Sequence, residues 1–169
     1  FAEAPYSASC PPSSVVRLKF DSPGHGEVAL NWYDGGLMPD LPDELADGET
    51  IGDGGGGSIF YGSRGILVCD TYSRNPRLLP SSTMALLTPP EPRLPRIEGD
   101  IGGHQRNWVE ACLNGGPTSS DFERAGKLTE AVLMGNLAIR AFQYKRRPAG
   151  SRRFSYPGRK KIQWDGENM

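Results

Sequence analysis

Several groups of residues in this sequence have types and spacings from which chemistry could be built. The run Gly52-Asp-Gly54-Gly-Gly-Gly57 satisfies G-x-G-x-x-G, the turn that brings a helix N-terminus onto a pyrophosphate. That chemistry needs a buried strand before the glycines and a helix opening from them. Here an acidic loop precedes the run and strand-like Ser58-Ile-Phe-Tyr61 follows it, so it reads as a flexible tip. Tyr156-Pro-Gly-Arg-Lys160 has the Tyr-x-x-x-Lys spacing of an acid–base pair one helical turn apart. Pro157-Gly158 rules out a helix there and makes the segment a turn.

Carboxylates concentrate in 34–57, which holds Asp34, Asp40, Asp43, Glu44, Asp47, Glu49 and Asp53 and no basic residue. The alternating Asp spacing of a calcium loop is missing, so this Gly-rich acidic stretch reads as a solvated, mobile loop. Its root, Asn31-Trp32-Tyr33-Asp34-Gly35-Gly36, places aromatic rings and a carboxylate at a sheet edge. Ring faces and carboxylate hydrogen bonds are how proteins grip polyols, although strand-end packing would use the same residues. The histidines are His25, in a turn, and His104, early in a helix. With only these two histidines, far apart in sequence, neither a Ser-His-Asp site nor a metal triad can be argued. His104, Gln105, Arg106 and Asn107 form a polar first turn that could face an anion or a hydroxylated ligand, or simply solvent.

Cys10, Cys69 and Cys112 are odd in number and contain no C-x-x-C, so zinc and thiol–disulfide chemistry have no support. Buried free thiols are expected, with one disulfide plus a leftover thiol as the alternative. Nine cations (Arg140, Lys145, Arg146, Arg147, Arg152, Arg153, Arg159, Lys160 and Lys161) fall in one stretch without a carboxylate. Salt bridges to the acidic loop or to a neighbouring subunit would use them. With Phe154 and Tyr156 interleaved, weak binding of single-stranded nucleic acid would as well.

The elements that must position these groups are legible in outline. Residues 13–20 alternate Val16, Leu18 and Phe20 against Val15, Arg17 and Lys19, and 27–33 carries Val28, Leu30 and Trp32 on one face. The turn Asp21-Ser-Pro-Gly-His-Gly between them predicts an antiparallel hairpin. A second hairpin is predicted from 58–61 and 66–69 around Gly62-Ser-Arg-Gly65, and the four strands are expected in one sheet. Proline-rich 88–98 crosses to a helix over 101–114, stopped by Gly115-Gly116-Pro117. Ser120-Asp-Phe-Glu123 reads as a capping box with Ser120 as the cap, opening a helix that runs to about 144. Residues 131–142 of that helix are apolar on more than one side, so one sheet alone cannot cover it. Short strands are expected at 152–156 and 160–164. The order strands, helices, strands predicts an α+β fold: an open, mostly antiparallel β-sheet with helices packed on one face.

Composition narrows the classes. The chain has 169 residues, and its net charge of −1 argues against a wholesale nucleic-acid binder. Its 22 glycines and 15 prolines argue against a bundle of long helices. No window approaches the ~18 apolar residues of a membrane helix. A soluble protein of cytoplasm or periplasm is expected. Residues 1–169 are read as a single domain cut from something longer, because the chain opens at Phe1 and closes just after a strand-like run.

Particular residues carry a family likeness. Gly103-His-Gln-Arg-Asn-Trp-Val-Glu-Ala-Cys112, then Pro117-Thr-Ser-Ser-Asp-Phe122, then Ala125-Gly-Lys-Leu-Thr-Glu-Ala-Val-Leu-Met-Gly-Asn136, form its most specific part. With Trp32-Tyr33-Asp34-Gly35-Gly36, the strand pair around Gly62-Ser-Arg-Gly65 and Trp164-Asp-Gly-Glu-Asn168, the chain resembles the C-terminal domain of the glucose–fructose oxidoreductase / inositol dehydrogenase family. The likeness runs from about Ser13 onward. It implies a parent enzyme in which an N-terminal Rossmann domain binds NAD or NADP and hydride moves at an oxygen-bearing carbon of a sugar, polyol or related compound. It also implies homo-oligomerisation through the open sheet face.

This chain departs from the family pattern. It has no strand–glycine-turn–helix unit and no Glu-Lys-Pro segment, so no catalytic, cofactor-binding or metal-binding role transfers to any position. By itself the chain is expected to bind no cofactor and to be inactive. Tyr33, Asp34, His104 and Arg106 match the substrate side of the domain and are the candidates for orienting a substrate's hydroxyls. A stand-alone, sheet-based dimerisation module with no enzymatic parent is the alternative. A membrane partner is not expected, and a nucleic-acid partner is the least favoured.

Overall fold

The computed structural model describes residues 10–166, the side chains of Asp100 and Ile101 excepted. Glu167 and Asn168, part of the family likeness, lie outside the described residues. The chain is α+β, with antiparallel strands in its first half and helices in its second. It divides into two compact units, 1–39 together with 96–169, and 40–95.

In the first unit, strands β1 (Ser14–Ser22) and β2 (Gly26–Asp34) form an antiparallel hairpin in the register Val16↔Trp32, Leu18↔Leu30, Phe20↔Val28. The period-two alternation therefore puts all six apolar side chains on one face. The other face is charged, and Lys19 Nζ lies 2.5 Å from Glu27 Oε1. Helix α1 (Asp100–Asn114) and helix α2 (Phe122–Gln143) follow. α2 packs on β1, so Val16 is buried at 6% exposure while its cross-strand partner Trp32 stays 60% exposed.

The face of α2 made by Ala131, Met134, Gly135, Ala138, Ile139 and Phe142 is half-buried, the i, i+3, i+4 set of one helix side. Leu128, Val132, Leu133 and Leu137 are exposed. The second apolar side expected from the sequence thus exists, and α1 leaves it open. The cap of α2 is one residue later than expected. Asp121, not Ser120, holds the cap position and accepts a 3.0 Å hydrogen bond from the Arg124 N–H. Both residues are good caps, and the anionic one is favoured at the positive end of a helix.

The second unit carries a separate sheet in the order β3-β4-β5, formed by Gly57–Gly62, Gly65–Asp70 and Arg77–Leu79. The four expected strands accordingly sit in two sheets, not one. Local turns dictate each hairpin, whereas alternation says nothing about which hairpins join. The three-residue β5, missed in sequence, pairs through Ile66↔Leu79 and Val68↔Arg77. Ile66, Val68 and Leu79 form the core here, with Leu45, Ile51 and Ile59 packed against it.

The strands expected at 152–156 and 160–164 are not formed. One isolated bridge, Arg146↔Ser155, is all the pairing there among the described residues. Free thiols are found at Cys10, Cys69 and Cys112; Cys69 is buried, and the other two, expected inside, are exposed. Among the described residues no helix is long and apolar enough to cross a membrane.

Candidate functional site

The strand end at Asp34 is built by the hairpin and by two glycines. Ser14 pairs with Asp34 and Val15 with Tyr33 at the last positions of the ladder. Asp34 Oδ1 accepts a 2.7 Å hydrogen bond from the Gly35 N–H, which turns the chain out of the sheet. Gly35 takes φ +67°, and a Cβ there would collide with the Pro12 carbonyl and with Ser13. Only glycine fits that position.

Alternation separates the two strand-end candidates. Tyr33, half-buried, lies on the Val15 face, and Asp34, exposed, lies on the face of Trp32. Residues two apart on one strand face have Cα atoms about 6.8 Å apart. Of the two rings expected beside the carboxylate, Trp32 shares the face of Asp34 and Tyr33 lies on the other.

The helix candidates separate in the same way. Residues two apart on a helix point about 200° apart, so His104 and Arg106 leave α1 on nearly opposite sides. Arg106 is exposed. His104 instead joins a polar clasp with the α1–α2 connection, its Nδ1 lying 3.1 Å from Ser119 Oγ. One turn further on, Asn107 Oδ1 accepts from the Ser119 N–H at 2.9 Å, from Ser119 Oγ at 3.1 Å and from Thr118 Oγ1 at 3.2 Å.

Asn107, Thr118 and Ser119 belong to the clasp but were not singled out for it. The traces in sequence are Asn107 in the polar turn after His104 and the polar run Thr118-Ser-Ser-Asp121 after the helix stop. Among the described residues no hydrogen bond or ion pair joins Tyr33 or Asp34 to His104 or Arg106.

The hydroxyl, imidazole, amide and carboxylate groups of this unit offer donors and acceptors at the surface. Among the described residues no group of three or more His, Cys, Asp or Glu side chains is gathered to hold a metal ion. The turn at the glycine run of the second unit is closed by the chain's own groups. Asp53 Oδ1 accepts from the Gly55 N–H at 2.8 Å, and the Asp53 N–H and carbonyl pair with Gly56. The turn leads into strand β3 rather than a helix. No family model matches the chain, and no curated protein matches it.

Proposed function

We propose that this chain is the substrate-side and subunit-interface part of an NAD- or NADP-dependent oxidoreductase acting on a sugar, polyol or related compound. The observation that carries the reading is the uncovered apolar face of the hairpin. Val28, Leu30 and Trp32 are 48%, 42% and 60% exposed, beside a strand whose own half of the face lies under α2. Burying such a row contributes roughly 25 cal/mol per Å², and a subunit or a further domain is the natural cover. Asp34 on the Trp32 face and the His104 clasp support the polyol side of the reading. The cofactor site and the catalytic groups lie outside this chain in this reading.

Two measurements test it. Calorimetric titration of the chain with NAD(H) and NADP(H) should give no saturable heat; tight, saturable binding would sink the reading. The encoding gene should carry a Rossmann pattern upstream of Phe1, over about 120–200 residues. A gene that opens at Phe1 would favour the stand-alone dimerisation module, which rests on the same uncovered face.

A further inference from the structure

We propose that Ser155 is a phosphorylation site for an arginine-directed protein kinase, and that the phosphate it receives pairs with Arg146 on the neighbouring segment. The proposal goes beyond the oxidoreductase reading and does not depend on it.

The residues around the hydroxyl carry the recognition pattern. In Arg152-Arg153-Phe154-Ser155-Tyr156 the serine has arginines three and two positions before it and an aromatic residue after it. No other Ser, Thr or Tyr in the chain has arginines at both of those positions. Arginine-directed kinases read such a segment by charge. Their carboxylates take the two guanidiniums, and those pairs set the register that brings the hydroxyl to the triphosphate.

The fold presents this segment at the surface. Arg152, Arg153, Phe154, Ser155 and Tyr156 are all exposed, and 149–154 belong to no helix or strand. Ser151 is engaged with its own loop: its Oγ accepts from the Arg153 N–H at 3.0 Å and donates to the Arg153 carbonyl at 3.2 Å. Ser155 Oγ donates to the Arg146 carbonyl at 3.2 Å, a single neutral bond at the surface that water can replace at little cost.

The backbone then places a cation beside the same hydroxyl. Arg146 and Ser155 form an antiparallel bridge, exchanging two backbone hydrogen bonds of 2.9 and 2.8 Å. Residues opposite one another in such a pair share a face, with Cβ atoms about 4.5–5.5 Å apart. Alternation sends their neighbours to the other face. There Phe154 lies between Lys145 Nζ, 5.2 Å from its ring centre, and the Arg147 guanidinium at 4.7 Å. Further on, the Arg159 guanidinium stacks 3.9 Å from the Tyr156 ring and 4.8 Å from that of Phe142, holding the segment to the end of α2.

The transfer is a displacement at phosphorus. Ser155 Oγ bonds to the γ-phosphorus of ATP, the bond to the bridging oxygen breaks, and ADP leaves with that electron pair. The hydroxyl proton passes to a carboxylate of the kinase. The product carries a charge of about −1.5 to −2 and three acceptor oxygens. It gives up the bond to the Arg146 carbonyl and gains a charge-assisted contact with the Arg146 guanidinium.

Incubation of the full chain with Mg-ATP and the catalytic subunit of cyclic-AMP-dependent protein kinase, an arginine-directed enzyme, tests the site. Intact mass should show one added phosphoryl group, and fragmentation should place it on Ser155. Ser155→Ala should lose it and Ser155→Thr should keep it. The double variant Arg152→Gln, Arg153→Gln should be modified about tenfold more slowly or worse, the loss expected from charge pairs worth about 1.4 kcal/mol. Arg146→Gln should be modified at the wild-type rate. In phosphorus NMR the second ionisation of the phosphate, ordinarily near pH 6, should lie lower in the wild type and rise in Arg146→Gln.

Absence of incorporation overturns the site, as does incorporation undiminished in Ser155→Ala or in the arginine double variant. An ionisation unchanged by Arg146→Gln overturns the pairing. Circular dichroism matching the wild type in each variant separates a lost site from a lost fold. None of these readouts involves a nicotinamide cofactor or the apolar hairpin face, so this proposal and the oxidoreductase reading fail separately.

Discussion

Thr71 Oγ1 donates a 2.5 Å hydrogen bond to Asp53 Oδ1, tying the glycine-rich end of the acidic loop to the residue that follows β4. That hydroxyl and the Gly55 N–H hold the Asp53 carboxyl below its usual range. The Ala46 N–H donates to Glu49 Oε2 at 3.2 Å, and the Glu49 carboxyl is lowered likewise. The folded state therefore favours the charged carboxylates. The stability they confer is complete above their unfolded values, about 3.9 for Asp and 4.3 for Glu. It is lost as pH falls through the lower folded values.

The melting temperature should therefore fall below about pH 4, and Asp53→Asn should remove part of that acid slope. Thermal melts followed at several pH values read this out. An unchanged slope in Asp53→Asn would show that other carboxylates set it.

Gly126 and Gly135 interrupt α2, and neither needs to be glycine. A Cβ at Gly126 meets nothing within 4 Å, and one at Gly135 would lie 3.8 Å from Val16 Cγ1, an ordinary contact. Gly126→Ala should raise stability by about 0.5–1 kcal/mol in urea unfolding through helix propensity alone. Gly135→Ala should do at least as well by adding contact with β1. A loss at Gly135 would mean that the helix sits closer to the strand than these distances show.

Legibility in the sequence followed the range of the interaction. The hairpin of β1 and β2, both helices and the proline-rich crossing were readable because alternation, helical spacing and turn residues act within a few positions. Beyond that range, sequence reading failed. Whether Val16 and Ile66 share a sheet depends on strand partners that no local pattern names. Leu79 enters the core through a strand too short to show a period. Residues 152–156 have alternation enough for a strand but no partner, so only Ser155 pairs. Tyr33 and Arg106 were found as residue types, whereas the Asn107–Ser119 contact spans a helix stop and has no periodic signature.

The Asn107 clasp should be the chief tether of the α1–α2 connection. Asn107→Ala leaves the exposed Ser119 N–H to water and should cost about 0.5–1.5 kcal/mol. Faster amide exchange at Ser119, with protection in β4 unchanged, would locate the effect. Uniformly faster exchange would contradict a local role.

Val68 is fully buried at the centre of β4. Val68→Ala leaves a cavity in the core that it forms with Ile66 and Leu79 and should destabilise the second unit by roughly 2–3 kcal/mol. Denaturant titration followed by a probe within 40–95 measures it. A cost under half of that would mean that the flanking Leu45 and Ile51 collapse into the space.

Leu30 and Trp32 offer the complementary case. Replacing both with Ser removes the cross-strand partners of Leu18 and Val16 together with exposed apolar surface, so stability should fall by about 1–2 kcal/mol without loss of the fold. Any salt-insensitive self-association, read by light scattering, should decline. Loss of folding instead would show that the chain itself covers this face.

The contact between β1 and α2 has a kinetic consequence. Val16 meets a helix position about 120 residues further along, and closing a loop of that size is a slow, entropy-limited event. The hairpin of β1 and β2 closes through a short turn, but a two-stranded ribbon is marginal alone. It must therefore persist as a transient species until α2 has been synthesised and returns to it. Residues 40–95, contiguous in sequence and holding their own core, face no such delay. On the ribosome the inserted unit should reach protease resistance first. The unit that surrounds it should acquire it only after 143 residues have emerged.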